Sequence, residues 1–185
     1  MWRDAFPKAI VVGIDLKLPD LDLGDRVHMI EGDQMDCAFL ADVRRAFAPE
    51  GFSVIVDDCS HLAKASASSI RCLFDDHLKP HGHYVIEDWL VGYLDWFDDG
   101  RGPDASYFDA SGVGRTARSF GQGVKLPSHD FGLAGLAKQL IDQLAHQQIQ
   151  YWMPSHVPDA DSMNVQSLSI EGSLLVLQKG SRPTS

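Results

Sequence analysis

Hydrophobic positions along the first half of the chain alternate between two rhythms. Ile10-Val11-Val12-Gly13-Ile14 is a short continuous apolar run after Pro7 and predicts a buried strand. Val27 to Ile30 predicts a second, weaker strand that ends at Glu31-Gly32-Asp33. Over residues 36–48, Phe39, Leu40, Val43 and Phe47 recur at helical spacing, and Gly51 follows as a stop signal. Phe52-Ser53-Val54-Ile55-Val56 predicts a third strand, ending in Asp57-Asp58. Ala67, Ile70, Leu73, Phe74 and Leu78 mark one face of an amphipathic helix over 62–78, stopped by Pro80-His81-Gly82. His83 to Ile86 is a fourth strand, ending in Glu87-Asp88. Strands separated by helical patterns predict crossover units and a parallel sheet covered on both faces.

The pattern then changes. Residues 97–130 are rich in Gly, Asp, Ser and Arg and hold no sustained periodicity, as expected of a lid loop started by Tyr93, Trp96 and Phe97. Leu133, Leu136, Leu140, Ile141 and Leu144 share one face of a helix that starts near Ser128 or Asp130. Val165 to Ile170 and Ser173 to Gln178, joined at Glu171-Gly172, predict an antiparallel hairpin. The expected architecture is one α/β domain over residues 1–185, with a parallel sheet closed by a C-terminal antiparallel hairpin.

Composition narrows the function. The chain has 185 residues with 44% hydrophobic and 23% charged residues, an ordinary globular balance that excludes disorder, coiled coil and collagen. A formal charge of −10 makes it a poor binder of phosphate backbones, so no nucleic-acid partner is expected. Cys37, Cys59 and Cys72 are odd in number and lack CxxC spacing, which argues against a disulfide framework or zinc knuckle and for a reducing compartment. With no secretory h-region and no membrane span in the sequence, a cytoplasmic location is expected.

The candidate chemistry lies at the carboxyl ends of the strands, where ligands of open α/β sheets sit. Four successive strands end in acids: Asp15, Asp33, Asp57-Asp58 and Glu87-Asp88. Each alone reads equally as a turn or helix-cap carboxylate. Together they repel one another unless a cation, a proton or hydroxyl-rich ligands offset the charge. Asp15 suits the two hydroxyls of a ribose, and Asp33-Gln34 a base edge or a loop backbone. Asp57-Asp58-Cys59-Ser60-His61 delivers two acids and then an imidazole, which suits deprotonation of a hydroxyl polarised by a hard cation. The plainer reading makes Ser60 a helix cap and His61 a first-turn residue. Glu87-Asp88 adds oxygen donors, a set that selects Mg²⁺, Ca²⁺ or Mn²⁺ over zinc. Cys59 reads as a small turn residue, and Ser111-Gly112-Val113-Gly114-Arg115-Thr116 lacks the ending of a phosphate loop.

Ile14-Asp15, Glu31-Gly32-Asp33-Gln34, Ile55-Val56-Asp57-Asp58-Cys59-Ser60-His61 and the run from Lys79 to Asp88 resemble class I S-adenosylmethionine-dependent methyltransferases. The resemblance is strongest to the metal-dependent sugar O-methyltransferases of macrolide biosynthesis and the related cephalosporin hydroxylase-like proteins, and covers about residues 1–90. It implies a Rossmann-like fold and two cofactors, S-adenosylmethionine and Mg²⁺. It implies that Asp15 binds the cofactor ribose, that Asp33, Gln34 and Asp57 lie with the cofactor, that Asp58, Glu87 and Asp88 hold Mg²⁺, and that His61 is the general base. The acceptor would be a small molecule bearing hydroxyl groups, a sugar or other natural product. Two turn positions depart from the family, which has Gly where Cys59 and His81 stand. A larger departure is the absence of the first strand and its Gly-rich turn. That strand belongs between the strand of residues 10–14 and that of 53–57, so the sheet is expected to split there, with open edges prone to pairing with another chain. Two other readings compete: a fold remnant with no cofactor binding, and a nicotinamide-dependent dehydrogenase, which the lack of GxGxxG disfavours.

Overall fold

The computed structural model describes residues 2–18, 20–21, 23–94, 97–100, 131–153 and 163–181. After a short helix α1 (Trp2–Ala5), strands β1 (Val11–Asp15) and β2 (Val27–Glu31) pair in parallel as a two-stranded sheet. Strands β3 (Phe52–Asp57), β4 (Leu78–Ile86), β5 (Val165–Glu171) and β6 (Leu174–Lys179) form a second sheet in the order β3-β4-β6-β5. β3 and β4 run parallel, whereas β6 is antiparallel to both β4 and β5. Helices α2 (Cys37–Phe47), α3 (Ala63–His77) and α4 (Gly132–Trp152) complete the α/β architecture, with short 3₁₀ turns at Trp89–Tyr93 and Asp98–Gly100. Among the described residues, β1 and β3 fall in different sheets and do not pair with each other.

Local chemistry explains the element boundaries. Asp36 caps α2 by accepting from the amides of Ala38 and Phe39, both at 3.0 Å, which satisfies two of the orphan donors of its first turn. Leu40 and Val43 give that helix its buried face. The predicted helix over 62–78 is observed as Ala63–His77, and Pro80 lies in the next strand instead of a turn. Phe52 pairs with Leu78 and Val54 with His83, so residues 79–82 bulge out of the ladder. Proline has no amide to donate, so this bulge is where the strand accommodates it. His81 there has φ 61°, a left-handed conformation that favours glycine, in agreement with the family's glycine at that position. Cys59 is not among the residues with positive φ. The hairpin turns at Gly172, φ 62°, whose carbonyl accepts from Trp89 Nε1 at 3.2 Å.

The core lies in the four-stranded half. Tyr84, Ile86, Leu175 and Leu177 on the sheet pack with Ile70 and Phe74 of α3 and Leu133, Leu136 and Leu140 of α4. Ile14 of β1 and Phe39 of α2 reach the edge of the same cluster. One expectation needs correction. Cys37 and Cys72 form a disulfide, with Cα atoms 5.4 Å apart, that ties α2 to α3. Counting cysteines cannot see a pair 35 residues apart in sequence that two packed helices bring together. At the start of the expected lid, Asp98–Gly100 form a short 3₁₀ turn in which Asp99 is fully buried. The rest of that segment, 101–130, together with Trp96, Ser128 and Asp130, lies outside the described residues.

Candidate functional site

The carboxyl ends of β1, β2, β3 and β4 bring the predicted acids to one end of the molecule. Asp15 is exposed and accepts from the Lys17 amide at 3.1 Å. Asp33 is exposed and accepts from the Met35 amide at 2.8 Å, closing the turn into α2. Gln34 turns the other way. Its Nε2 donates to Asp57 Oδ1 at 3.2 Å and to Ser69 Oγ at 3.3 Å, linking the end of the two-stranded sheet to the four-stranded half.

Asp57, the last residue of β3, and Asp58, the first residue beyond it, are adjacent but have opposite surroundings. Asp57 is buried. Its Oδ2 accepts from Ser69 Oγ at 3.2 Å and Tyr84 OH at 3.4 Å, while Ser69 Oγ and Tyr84 OH share a bond of 2.9 Å. Burial, followed by the charge of Asp57, pushes the Tyr84 phenol well above its usual range, so Tyr84 remains a donor. Asp57 therefore anchors the strand end from inside. Asp58 points to solvent with a side chain 57% exposed.

His61 lies between acids. Its Nε2 is 3.8 Å from Asp58 Oδ1 and 3.9 Å from Asp88 Oδ2, contacts of ion-pair range that are longer than hydrogen bonds. The imidazole is only 20% exposed, and His61 precedes α3 instead of occupying its first turn. His61 and Asp88 hold left-handed backbones, φ 52° and 50°. Such conformations cost about 1–3 kcal/mol each and cluster at functional sites. Glu87 completes the group: burial, then the charges of Asp58 and Asp88, push its carboxyl above the usual range, and His61 opposes the shift. Burial and the charges of Asp57, Asp15 and Asp58 push the Cys59 thiol up to about 11, so it is protonated and unreactive at neutral pH.

Neighbouring carboxylates are hard oxygen donors that repel one another, and in chemistry they fit a hard divalent cation. Among the described residues, no three His, Cys, Asp or Glu side chains close into a metal-ligand cluster. The structure thus brings Asp58, Glu87, Asp88 and His61 together as neighbours and does not draw them onto one point.

Asp99 escaped the sequence reading. Neither α3 nor α4 has a side-chain cap of its own. The Asp99 carboxylate supplies both, accepting from the Ala63 amide at 2.8 Å and from the Leu133 amide. Gly132, φ 62°, permits this approach, since a Cβ there would lie 2.6 Å from Asp99 Oδ2. A cap that reaches across 36 residues leaves no local signature. Through Ala63 this carboxylate fixes the start of α3, and with it the loop that carries His61.

No family model matches the chain. It is 29% identical over 180 residues to mycinamicin VI 2''-O-methyltransferase of Micromonospora griseorubida, covering 97% of this chain and 38% of that enzyme. It is 26% identical to demethylmacrocin O-methyltransferase of Streptomyces fradiae, covering 97% of this chain and 39% of that enzyme. A solved structure of the MycE methyltransferase from the mycinamycin pathway, in complex with Mg and SAH, superposes with a TM-score of 0.68 at 27% identity. That match covers 97% of this chain and 39% of the MycE chain. The chain therefore spans well under half the length of the relatives it matches. It is a homologue of the natural-product sugar O-methyltransferases and carries part of their class I methyltransferase fold.

Proposed function

We propose that the chain carries the catalytic part of an S-adenosylmethionine- and Mg²⁺-dependent O-methyltransferase that acts on a hydroxyl of a sugar or other small natural product. The observation that carries this reading is the placement of His61 Nε2 between Asp58 and Asp88, with Glu87 beside them, at the carboxyl ends of β3 and β4. A related protein supports it: MycE has been crystallised with Mg and SAH, the form S-adenosylmethionine takes after giving up its methyl group, and with Mg, SAH and mycinamycin VI. Asp58, Glu87 and Asp88 would hold Mg²⁺, and Asp15, Asp33 and Gln34 would lie with S-adenosylmethionine; Asp57 supports them from the interior.

When bound, the cation polarises and orients the acceptor hydroxyl, and the sulfonium cofactor supplies the methyl group. The chain's own residues do the rest. His61 takes the hydroxyl proton at Nε2. The carboxylates of Asp58 and Asp88 flank that nitrogen and offset the positive charge the ring gains. The Asp57–Ser69–Tyr84 network and the Asp99 cap hold the strand end and helix start on either side of His61, so the ring is placed before the acceptor arrives. Among the described residues no helix is long and apolar enough to cross a membrane.

A chimera tests this directly. The matched segment of the Micromonospora enzyme is replaced by this chain, and methylation of mycinamicin VI is measured. The chimera should turn over. His61→Ala in it should lower kcat by about a hundredfold or more, the range for loss of a general base. Full activity of the His61→Ala chimera would remove His61 from the mechanism.

A further inference from the structure

The turn that carries Asp33 and Gln34 is fastened to α3 along one seam. Ser68, Ser69 and Cys72 share a face of that helix, since residues three and four apart are neighbours. Ser69 Oγ accepts from Gln34 Nε2 at 3.3 Å, and Ser68 Oγ donates to the Met35 carbonyl at 3.5 Å. Cys72 is bonded to Cys37, the first residue of α2. Both hydrogen bonds are long and hold weakly, whereas the third link is covalent. The disulfide therefore decides whether the seam stays closed. The same turn reaches on to the end of β3 through Gln34 and Asp57, 3.2 Å apart.

The core does not need this bond for its packing. Domains built on disulfides are small, dense in cysteine and short of core, and this chain has three cysteines in 185 residues. Its core is closed by α3 and α4 against the sheet, with Cys72 only at the margin. The bond is also lopsided: Cys37 is exposed at the start of α2, and Cys72 is half-buried. An external thiol thus meets the Cys37 sulfur, with Cys72 as leaving group. Accessible disulfides are the exchangeable ones, while enclosed structural ones resist reduction by small thiols.

We propose that Cys37 and Cys72 are a thiol–disulfide exchange site for low-molecular-weight monothiols, and that its redox state sets whether the Asp33–Gln34 turn is held on α3. In opening, a thiolate attacks Cys37 Sγ, the sulfur–sulfur bond breaks, and Cys72 leaves as a thiolate that takes a proton. A second thiolate attacks the sulfur of the small thiol now joined to Cys37, and Cys37 leaves and takes a proton. The sum converts one protein disulfide and two small thiols into two protein thiols and one small disulfide. The protein gains two electrons that the small thiols lose, and closing is the reverse. The switch stands on the seam alone; its bearing on cofactor affinity rests on the proposed function, in which Asp33 and Gln34 lie with S-adenosylmethionine.

Glutathione buffers of graded thiol-to-disulfide ratio test it, with alkylation and peptide mapping to read the cysteines and hydrogen exchange to read the turn. Cys37 and Cys72 should open and re-close together across the series, with no bond to Cys59. The amides of Met35, Asp36, Ala38 and Phe39 are all hydrogen-bonded within the turn and the α2 cap. On opening they should exchange about tenfold faster or more. Tyr84 and Leu177, paired in the centre of the sheet, should stay protected. Cys37→Ser and Cys72→Ser should each show the fast exchange in every buffer. SAH titrated into the chain should bind about tenfold more weakly in the open form. Equal affinity in both forms, or none, beside a loosened turn would take Asp33 and Gln34 out of the cofactor site and leave the switch standing. Three results would overturn the switch: a bond that survives every glutathione ratio; opening that leaves exchange in the turn unchanged; or opening that strips protection from Tyr84 and Leu177, which makes the bond a staple of the whole fold.

Discussion

The two sheets are written in similar apolar residues but reach different degrees of burial. In the four-stranded half, Tyr84 and Leu177 are wholly inaccessible, and Ile86 and Leu175 nearly so. In the two-stranded half no residue of β1 or β2 is buried. The four-stranded half is sealed by α3 and α4 and holds the whole acid–histidine set of Asp58, His61, Glu87 and Asp88. The two-stranded half contributes Asp15, Asp33 and Gln34 and is held through α2, the disulfide and the Gln34–Asp57 bond. The proposed base and metal ligands thus rest on the well-packed part of the fold. The expected cofactor residues rest on the part whose packing is incomplete.

The disulfide carries the largest expected effect, because it ties the halves together. A crosslink closing a loop of 35 residues contributes about 4 kcal/mol on the chain-entropy account. Cys37→Ser should lower stability by an amount of that order in denaturant titrations. Reductant should produce the same loss in the wild type and none in the variant. If reductant leaves the wild type unchanged, the bond does not join the halves in solution.

Core truncation sharpens the contrast. Leu177→Ala, at a fully buried site, should cost about 2–5 kcal/mol, whereas Val12→Ala on half-buried β1 should cost about 1 kcal/mol or less. Equal losses would mean that β1 is buried as deeply as β6.

Periodicity revealed the strand–helix alternation, the hairpin and the acids at the strand ends, because these follow from which face of an element is apolar. The hydrogen-bond partners were not legible. Asp57 and Asp58 look alike in sequence and differ in that Asp57, at the end of β3, is buried while Asp58, just beyond it, is exposed. Asp99 lies in an acidic, Gly-rich stretch that reads as loop, and its role comes from two helix starts that only the folded chain brings to it. The Cys37–Cys72 bond is hidden for the same reason.

Asp99 allows a smaller test of how the site is braced. Losing both of its bonds in Asp99→Ala should cost about 1–2 kcal/mol per helix start. Burial raises the Asp99 carboxyl above its usual value of 3.8, against the two amide bonds. The folded state therefore holds this proton more tightly than the unfolded chain. Its stabilising contribution is complete below about pH 4 and is lost as pH rises through the raised folded value. The stability difference between wild type and Asp99→Asn should change across that window and be flat above it. A difference independent of pH would show that the carboxyl is not shifted.

Calorimetric titration of Mg²⁺ into the chain addresses the central claim, that the chemistry belongs to the acid–histidine set of the four-stranded half. The account predicts saturable heat that disappears in Asp88→Ala and survives in Asp15→Ala. Equal heats from the wild type and Asp88→Ala, or no saturable heat from the wild type, would contradict it.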